Sequence, residues 1–207
     1  MTEKERMLAQ QLYVASDEQL LREHKNARRL TRLINLAPED QDDYCRQLFR
    51  ELFGAVGEKF FIEPPFYADY GCNTYIGNNF FANYGCTILD VAKVTIGDNV
   101  LLGPRVYIFT AGHPIDADVR NAKLEFGKEI TIGSNVWVGG NTVINPGVTI
   151  GSNVVIGSGS VVTKDIPDGV VAAGNPCRII RPITGADKAF WQSQAEKYYN
   201  SKQKTSV

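Results

Sequence analysis

The segment FTAGHPIDADVR, residues 109–120, holds one of only two histidines in the 207-residue sequence. Imidazole changes charge near neutral pH, and histidine is therefore the commonest general base in proteins. His113 lies between Gly112 and Pro114, two residue types that are common in turns. These features make His113 a candidate general base, although an ordinary surface loop would show the same pattern. The second histidine, His24, stands in a charged segment that predicts a solvated helix face.

The chain on both sides of this segment follows a six-residue rhythm. From residue 130 it reads ITIGSN, VWVGGN, TVINPG, VTIGSN, VVIGSG and SVVTKD, and an earlier array reads VTIGDN, VLLGPR and VYIFTA. A period of six matches neither the 3.6 residues of a helix nor the two of an isolated strand. It is typical of a solenoid in which aliphatic rows point inward and Gly, Asn and Asp occupy tight turns. We therefore predict a triangular prism over residues 58–182.

Residues 110–129 interrupt this rhythm, which resumes in phase at Ile130. The interior of a solenoid is filled by side chains, so a binding site must be built outside it, from a loop or from a neighbouring subunit. We interpret the interruption as a protruding loop that carries His113 close to the rigid coil.

Two further regions flank the prism. Residues 1–57 show helical spacing, with an N-cap pattern in SDEQ, residues 16–19, and a further helix over 44–53. In residues 183–207, aromatic residues at helical spacing predict a helix from Ala186 to Tyr199 that docks on the body, followed by a frayed tail.

Composition argues against several function classes. The formal net charge of −1 gives no general attraction to nucleic acid or to anionic membranes. No apolar run reaches the roughly 18 residues of a membrane span, and we expect no signal peptide from the N-terminus MTEKERM. The four cysteines have neither zinc-site nor disulfide spacing. We expect reduced, mostly buried thiols, no metal, and a cytoplasmic protein.

Several phrases resemble the maltose and galactoside O-acetyltransferases, which are acyltransferases with hexapeptide repeats. These phrases are IEPPFYADYG (62–71), NNFFANYGCTILDV (78–91), TAGHPID (110–116), NVWVGGNTVINPGVTIG (135–151), VVTKDIP (161–167) and GNPCRII (174–180). The start EKERMLAQQLY…SDEQLLRE resembles the N-terminal segment of the maltose type, and the whole resemblance covers about residues 4–182. It implies a mainly β fold, a left-handed parallel β-helix with an N-terminal helical segment and a protruding loop. The hand comes from the resemblance alone, because ordinary crossovers are right-handed.

The resemblance also implies a reaction, the transfer of an acetyl group from acetyl-CoA to a hydroxyl of a sugar such as maltose or glucose. His113 would accept the hydroxyl proton during attack and then protonate the departing thiolate. Asn83 would stabilise the oxyanion or bind the acceptor. Asp17, Asp69 and Asp90 are the candidates for acceptor binding, on the side of the N-terminal helical segment.

The chain departs from the galactoside pattern at three positions. The galactoside enzymes have serine where Asp69 and Gly140 stand, and aspartate where Val91 stands. The phrases ADYG and LDV follow the maltose pattern instead. Galactoside specificity is therefore not implied.

The cofactor is expected along the C-terminal coils, between subunits of a homotrimer whose active sites lie at the subunit boundaries. The resemblance assigns it six candidate residues: Gly140, Ser158, Thr163, Lys164, Arg178 and Arg181. The three cations suit the phosphates of acetyl-CoA, although each alone is also an ordinary surface charge. We expect Trp137 to pack at an intersubunit face.

Other functions fit the same scaffold. A β-helix carbonic anhydrase binds zinc through three histidines, and this chain has only His24 and His113. An acetyltransferase for another small acceptor, such as a xenobiotic or serine, stays open, as does a non-catalytic solenoid that assembles other proteins. The long interruption and the maltose-like helices favour a sugar, but a fold does not by itself identify a substrate.

Overall fold

A computed structural model describes residues 1–204 of the chain. The described residues contain five helices: α1 (Glu3–Leu8), α2 (Glu18–Asn35), α3 (Asp42–Leu52), α4 (Ala117–Asn121) and α5 (Gly185–Lys204). They also contain twenty short strands: β1 (Tyr13–Val14), β2 (Ala55–Val56), β3 (Phe60–Ile62), β4 (Tyr67–Ala68), β5 (Thr74–Ile76), β6 (Phe80–Ala82), β7 (Thr87–Leu89), β8 (Val94–Ile96), β9 (Leu101–Leu102), β10 (Tyr107–Phe109), β11 (Ala111–Gly112), β12 (Leu124–Gly127), β13 (Ile130–Ile132), β14 (Trp137–Val138), β15 (Val143–Ile144), β16 (Thr149–Ile150), β17 (Val155–Ile156), β18 (Val161–Val162), β19 (Val170–Ala173) and β20 (Arg178–Pro182).

Most of these strands build a prism with three faces, which the chain visits in turn. The strand order is β16-β13-β8-β5-β2 in face I, β20-β19-β17-β14-β9-β6-β3 in face II and β18-β15-β10-β7-β4 in face III. The pairs are parallel except for β20, which returns antiparallel to β19. The structure therefore confirms the predicted parallel β-helix, with about six turns.

The six-residue rhythm becomes stacked rows of side chains inside the prism. In face I, Ile96 pairs with Ile132, which pairs with Ile150, and these three side chains are at most 2% exposed. In each strand the residue next to the isoleucine points outward, because successive side chains of a strand lie on opposite faces. Burial of each such isoleucine stabilises the fold by roughly 1.5–3 kcal/mol.

Asparagine side chains hold the corner between faces I and II. Asn79, Asn99, Asn135 and Asn153 have φ between 55° and 59°, a conformation that asparagine adopts more readily than most L residues. Each of the first three donates a side-chain amide N–H to the side-chain oxygen of the next, with N–O distances of 3.0–3.1 Å. This ladder keeps successive coils in register.

The outer surfaces of faces I and II differ. Face I presents threonines, among them Thr95, Thr131 and Thr149. Face II presents an apolar row, in which each side chain is in register with the next: Phe61, Phe81, Leu101, Trp137, Val155 and Val171. The Trp137 side chain is 55% exposed in the single chain. A contiguous apolar strip of this kind marks an interaction surface.

Helices α2 and α3 close the N-terminal end of the prism. Phe49 packs edge to face against Phe60 and Phe66, and Phe53 packs in the same way against Phe66, with ring centroids 5.6–6.2 Å apart. The Asn35 side chain, at the end of α2, donates to the carbonyl oxygen of Phe66 at 2.9 Å and accepts its N–H at 2.8 Å. The helical segment is therefore a lid on the hydrophobic core.

The predicted loop, residues 110–129, is an ordered substructure that we call the excursion. Its strands β11 and β12 pair antiparallel, and β12 pairs with β1 from the N-terminus, so that three strands form a small sheet. A Cβ atom on Gly127 would lie 2.8 Å from Val91 Cγ2 and 2.9 Å from Ala92 Cβ. Glycine at this position therefore allows β12 to close on the coil.

The C-terminal helix differs from the prediction in its bounds and in its contacts. Helix α5 is longer at both ends than the predicted helix, and within the single chain it is held on the body through Asp187 in its first turn, while its aromatic residues are exposed. Its four aromatic side chains are 53–67% exposed and pair with each other along the helix: Phe190 with Trp191, and Tyr198 with Tyr199. The end of the predicted frayed tail, residues 205–207, lies outside the described residues. Across residues 1–204, no helix has the length and apolar character needed to cross a membrane.

Candidate active site

The small sheet of the excursion places His113 beside the N-terminal segment. Strands β1 and β11 flank β12 on either side, and both run antiparallel to it. His113 follows β11 directly, and Ala15 and Ser16 follow β1. The residues after these two strands line one open groove of about 350 Å³, formed by Ala15, Ser16, His113, Arg120, Lys123 and Glu125. His113 is exposed in this groove and accessible to a ligand.

The backbone on both sides of His113 is held in place. Arg120 Nη1 donates to the carbonyl oxygens of Pro114 and Ile115, at 2.9 Å each. On the other side, a Cβ atom on Gly112 would lie 2.8 Å from the Phe126 ring, so a larger residue would push β11 away from β12. These contacts position the imidazole and leave it exposed.

Glu125 brings a carboxylate into the same groove. The Tyr13 hydroxyl donates to Glu125 Oε2 at 3.2 Å, and Tyr13 is 1% exposed. Burial, reinforced by the Glu125 charge, raises the pKa of Tyr13 well above its usual range. Tyr13 is therefore a neutral hydrogen-bond donor at physiological pH. The groove therefore combines an imidazole and a carboxylate with the cationic side chains of Arg120 and Lys123.

Asp69 follows β4 at the corner between faces III and I, where the excursion leaves the coil. Burial raises the pKa of its carboxyl, His24 opposes this rise, and the Glu125 charge adds to it. His24 Nε2 lies 3.8 Å from Asp69 Oδ1, with 40% of the His24 side chain exposed. His24 therefore contacts the acceptor-side candidate Asp69 and is not simply a solvated helix residue, as its sequence context predicts.

Asp17 is the N-cap of α2. Its Oδ1 accepts the N–H groups of Gln19 at 2.9 Å and Leu20 at 3.2 Å. The helix start predicted at residues 16–19 is thus assigned to Asp17, which leaves Ser16 in the His113 groove. The capping role accounts for an aspartate here, and an additional contact with an acceptor stays a prediction.

Asp90 lies inside the protein, with 0% exposure. Its carboxylate oxygens accept hydrogen bonds at 2.9–3.2 Å from the N–H groups of Tyr70, Gly71 and Asn73 and from the hydroxyl of Thr74. Burial raises its pKa to about 6, against these donors. A sugar would reach this carboxylate only if the turn opened. We therefore correct the expectation that Asp90 binds the acceptor and assign it a structural role.

Asn83 lies at a different corner from His113. It follows β6 at the corner between faces II and III, whereas His113 leaves the coil at the corner between faces III and I. A face III strand of three residues, about 10 Å long, lies between these corners. Asn83 Oδ1 accepts the N–H of Tyr84 at 2.8 Å, so its side-chain orientation is set locally. The structure of one chain does not bring Asn83 and His113 together.

The cofactor candidates among the coils also divide between these two corners. Gly140 and Ser158 follow β14 and β17, at the corner that carries Asn83. Thr163 and Lys164 follow β18 at the other corner, and both are exposed. The predicted cofactor contacts therefore flank face III within one chain.

The two arginine candidates lie on β20, at the C-terminal end of face II. Arg178 Nη1 donates to the carbonyl oxygen of Cys177 at 2.9 Å. Arg181 donates through Nη1 and Nη2 to the two carboxylate oxygens of Asp187, at 2.8 and 2.7 Å. Both arginines are exposed at the surface, and the Arg181 charge is paired with Asp187.

The cysteines do not offer an activated nucleophile. All four are free thiols: Cys86 and Cys177 are buried, and Cys45 and Cys72 are partly buried. Burial raises the pKa of each, to about 11 for Cys86, whereas a reactive cysteine needs a lowered pKa. Among residues 1–204, no three His, Cys, Asp or Glu side chains are placed to hold a metal ion.

A more enclosed cavity lies apart from the His113 groove. It has a volume of about 290 Å³ and is lined by α2, α3 and β3 residues such as Ile34, Cys45, Phe49 and Phe60. None of the predicted site residues lines it. The candidate chemistry is therefore in the shallower groove.

Family models match three parts of the chain. They are described as the maltose acetyltransferase hexapeptide capping motif, over residues 6–57, the hexapeptide repeat of succinyl-transferase, over 93–116, and the bacterial transferase hexapeptide, over 129–164. The first of these covers the helical lid, and the other two cover coils of the prism.

Relatives match nearly the whole chain. Galactoside O-acetyltransferase of Escherichia coli K12 is 46% identical, over 90% of this chain and 92% of its own. The crystal structure of a maltose O-acetyltransferase from Clostridium difficile 630 is 54% identical with a TM-score of 0.88, over 89% of this chain and 98% of its own. A galactoside acetyltransferase in complex with coenzyme A is 46% identical, also with a TM-score of 0.88, over 91% and 94%. The chain belongs to the maltose and galactoside O-acetyltransferase family of hexapeptide-repeat proteins.

Proposed function

We propose that this chain transfers the acetyl group of acetyl-CoA to a hydroxyl of a sugar such as maltose or glucose, with His113 as the general base. The observation that carries the proposal is the placement of His113, exposed in a groove that β1, β11 and β12 build outside the prism. Family membership supports the acetyl-CoA-dependent O-acetyltransferase class. The excursion supports the assignment of the base.

The reaction proceeds by direct attack. His113 accepts the proton of the acceptor hydroxyl while the hydroxyl oxygen attacks the thioester carbonyl. The resulting tetrahedral oxyanion needs hydrogen-bond donors, which the side-chain amide of Asn83 supplies. The imidazolium then gives its proton to the departing thiolate, which leaves as CoA. A general base of this kind contributes about 10²–10⁴ in rate.

The active unit is a homotrimer with its sites between subunits. The apolar row on face II needs a cover, and a neighbouring prism has flat faces that provide one. His113 and Asn83 lie at different corners of one chain. A neighbour that packs against this chain brings its own Asn83 corner towards the His113 groove. An isolated subunit would therefore have an incomplete site.

The acceptor lies on the N-terminal side of His113. Ser16 lines the groove, and Asp69 lies at the same corner with His24 against it. Carboxylates accept hydrogen bonds from sugar hydroxyls, so Asp69 suits an acceptor with several hydroxyl groups. Asp17, next to Ser16, is a further acceptor contact.

Acetyl-CoA lies in the groove between two subunits. The backbone at Gly140 and Ser158 contacts its pantetheine arm on one wall, and Thr163 and Lys164 belong to the other wall. Arg178 and Arg181 bind its phosphates, because guanidinium groups form two parallel hydrogen bonds with phosphate oxygens. The reaction takes place in the cytoplasm, where the four free thiols stay reduced.

The test is CoA release from acetyl-CoA by the purified protein, with maltose, glucose, a galactoside, serine and chloramphenicol as acceptors. A reaction without acceptor measures background hydrolysis. We expect release with maltose or glucose above background, and less with the galactoside. Release with serine or chloramphenicol alone would contradict the sugar assignment. No release with any acceptor, together with no binding of acetyl-CoA, would favour the non-catalytic solenoid.

A further inference from the structure

The Arg181 guanidinium already has an anionic partner. Asp187 accepts from Nη1 at 2.8 Å and from Nη2 at 2.7 Å, which is the bidentate geometry that a phosphate would also use. Asp187 Oδ2 accepts in addition the N–H of Thr184 at 2.8 Å and its hydroxyl at 3.1 Å. The carboxylate is therefore held in place against the arginine.

Helix α5 carries this carboxylate in its first turn. Between residues 185 and 202, Asp187 and Gln194 are half-buried and the other residues are exposed. The helix therefore lies on the body mainly near Asp187, and little packing opposes a movement of its first turn. The guanidinium of Arg181 lowers the pKa of Asp187 below its usual range, so the carboxylate stays charged at physiological pH.

We propose that Asp187 is a built-in competitor for the phosphates of acetyl-CoA at Arg181. This inference rests on the proposed function, in which Arg181 binds a cofactor phosphate. A carboxylate and a phosphate use the same paired N–H donors of a guanidinium, so the cofactor displaces Asp187 when it binds. The first turn of α5 then loses its anchor and moves. Helix α5 thus lowers the affinity for acetyl-CoA, and its position depends on whether the cofactor is bound.

The effect of Asp187 on the affinity for acetyl-CoA should be small. Exposed ion pairs contribute little, and the Arg181 side chain is 50% exposed. We therefore expect removal of the competing charge to tighten cofactor binding by about two- to fivefold. The change belongs to binding, so the KM for acetyl-CoA falls and kcat stays unchanged.

The experiment measures the dissociation constant of CoA by titration calorimetry for the wild type and three variants. We expect Asp187→Asn to bind about two- to fivefold more tightly and Arg181→Ala to bind more weakly. Glu196→Gln is the matched control, because it removes one negative charge from the same helix about 13 Å farther along. In the double variant Arg181→Ala/Asp187→Asn, the effect of the Asp187 substitution should disappear.

The outcomes separate the two proposals. Unchanged CoA binding in Arg181→Ala would remove Arg181 from the cofactor site, and the proposed function would lose that contact. Weaker binding in Arg181→Ala, with unchanged or weaker binding in Asp187→Asn, would overturn the competition alone. An equal gain in CoA affinity in Glu196→Gln would also overturn it, since the net charge of α5 would then explain the effect.

A second measurement follows the helix itself. The chain has two tryptophans, and Trp191 lies in α5, one turn after Asp187. The part of the tryptophan fluorescence that is absent from a Trp191→Phe variant, and so comes from Trp191, should change when CoA is added, and much less so in Asp187→Asn. Binding of CoA without any change in Trp191 fluorescence or anisotropy would show that Asp187 is not displaced.

Discussion

The coils and the excursion are placed by different kinds of contact. In the coils each side chain meets its counterpart at a fixed interval, as Ile132 meets Ile150 three hexads later. In the excursion, β12 meets β1 from the N-terminal segment, and Tyr13 pairs with Glu125, 112 residues later in the chain. The first kind of contact repeats and builds a rigid frame. The second occurs once and places a specific side chain outside that frame.

This difference separates stability from chemistry. The inward residues of the coils are almost completely buried, and Asp90 at the coil corner is buried as well. His113 and its groove are open to solvent. Substitutions in the coil interior should therefore change the free energy of unfolding, and substitutions in the groove should change turnover.

The largest effect is expected for His113→Ala. Loss of the general base should lower kcat by at least about 10², while the free energy of unfolding changes by less than about 0.5 kcal/mol, because His113 is exposed. CoA release and thermal unfolding measure the two quantities. Asp118→Asn, in α4 of the same excursion, is the control and should keep near wild-type turnover. A folded His113→Ala oligomer with normal turnover would refute the base assignment.

For Ile132→Ala we expect a large loss of stability. Ile132 is 1% exposed in the stacked row of face I. A cavity there should lower the free energy of unfolding by about 3 kcal/mol, which is more than a hundredfold in the unfolding equilibrium. Urea denaturation at one fixed protein concentration measures this change. The adjacent exposed Thr131→Ala should shift it by less than about 0.5 kcal/mol. Equal effects of the two substitutions would contradict the inward and outward assignment.

Trp137→Glu tests the outer surface of the coils. A charge in the apolar row of face II should weaken subunit association by about 2 kcal/mol, or thirtyfold, as loss of a central aromatic contact does. Sedimentation velocity over a dilution series measures the dissociation, and turnover should fall as monomers form. Thr131→Glu adds the same charge to face I of the same coil and should leave the assembly intact. If both variants stay trimeric and active, face II is not the interface.

The smallest effect is expected for Tyr13→Phe. Phenylalanine keeps the pairing of β1 with β12 but removes the hydroxyl that donates to Glu125. Because one hydrogen bond contributes about 1 kcal/mol net, we expect the free energy of unfolding to fall by about that amount and kcat/KM to fall by at most about fivefold. Steady-state kinetics and thermal unfolding distinguish these effects. Wild-type kinetics would mean that Tyr13 does not position Glu125 for the reaction.

Much of the fold follows from local patterns. The hexads predict the inward rows, and the positive φ of Asn79 and its counterparts matches the turn positions assigned to asparagine. In a repeat each coil contacts only the adjacent coils, so the period of the sequence is enough to predict which residues stack. In the single chain the aromatic residues of α5 are exposed, because helical spacing predicts a helix but does not say what its aromatic face contacts.

The candidate site was predicted less completely. His113 was found from its residue type and its position in the interruption. Ser16 and Glu125 were missed, because the pairing of β1 with β12 brings them together, and Arg120 and Lys123 were missed, because the fold of the excursion turns them towards the groove. No periodicity links strands that lie so far apart in the chain. Asp90 was misassigned, because an aspartate in a turn has the same sequence context whether it binds a ligand or the backbone.

The sequence by itself determined the parallel β-helix, the helical character of the N-terminal segment and the place where the repeat breaks. Each of these depends on contacts whose sequence separation is constant or short. The tertiary structure alone decided that β1 pairs with β12 of the excursion, that Asn83 and His113 lie at different corners, and that Arg181 forms an ion pair with Asp187. Those arrangements depend on single contacts that do not repeat, and only the folded chain shows which groups meet.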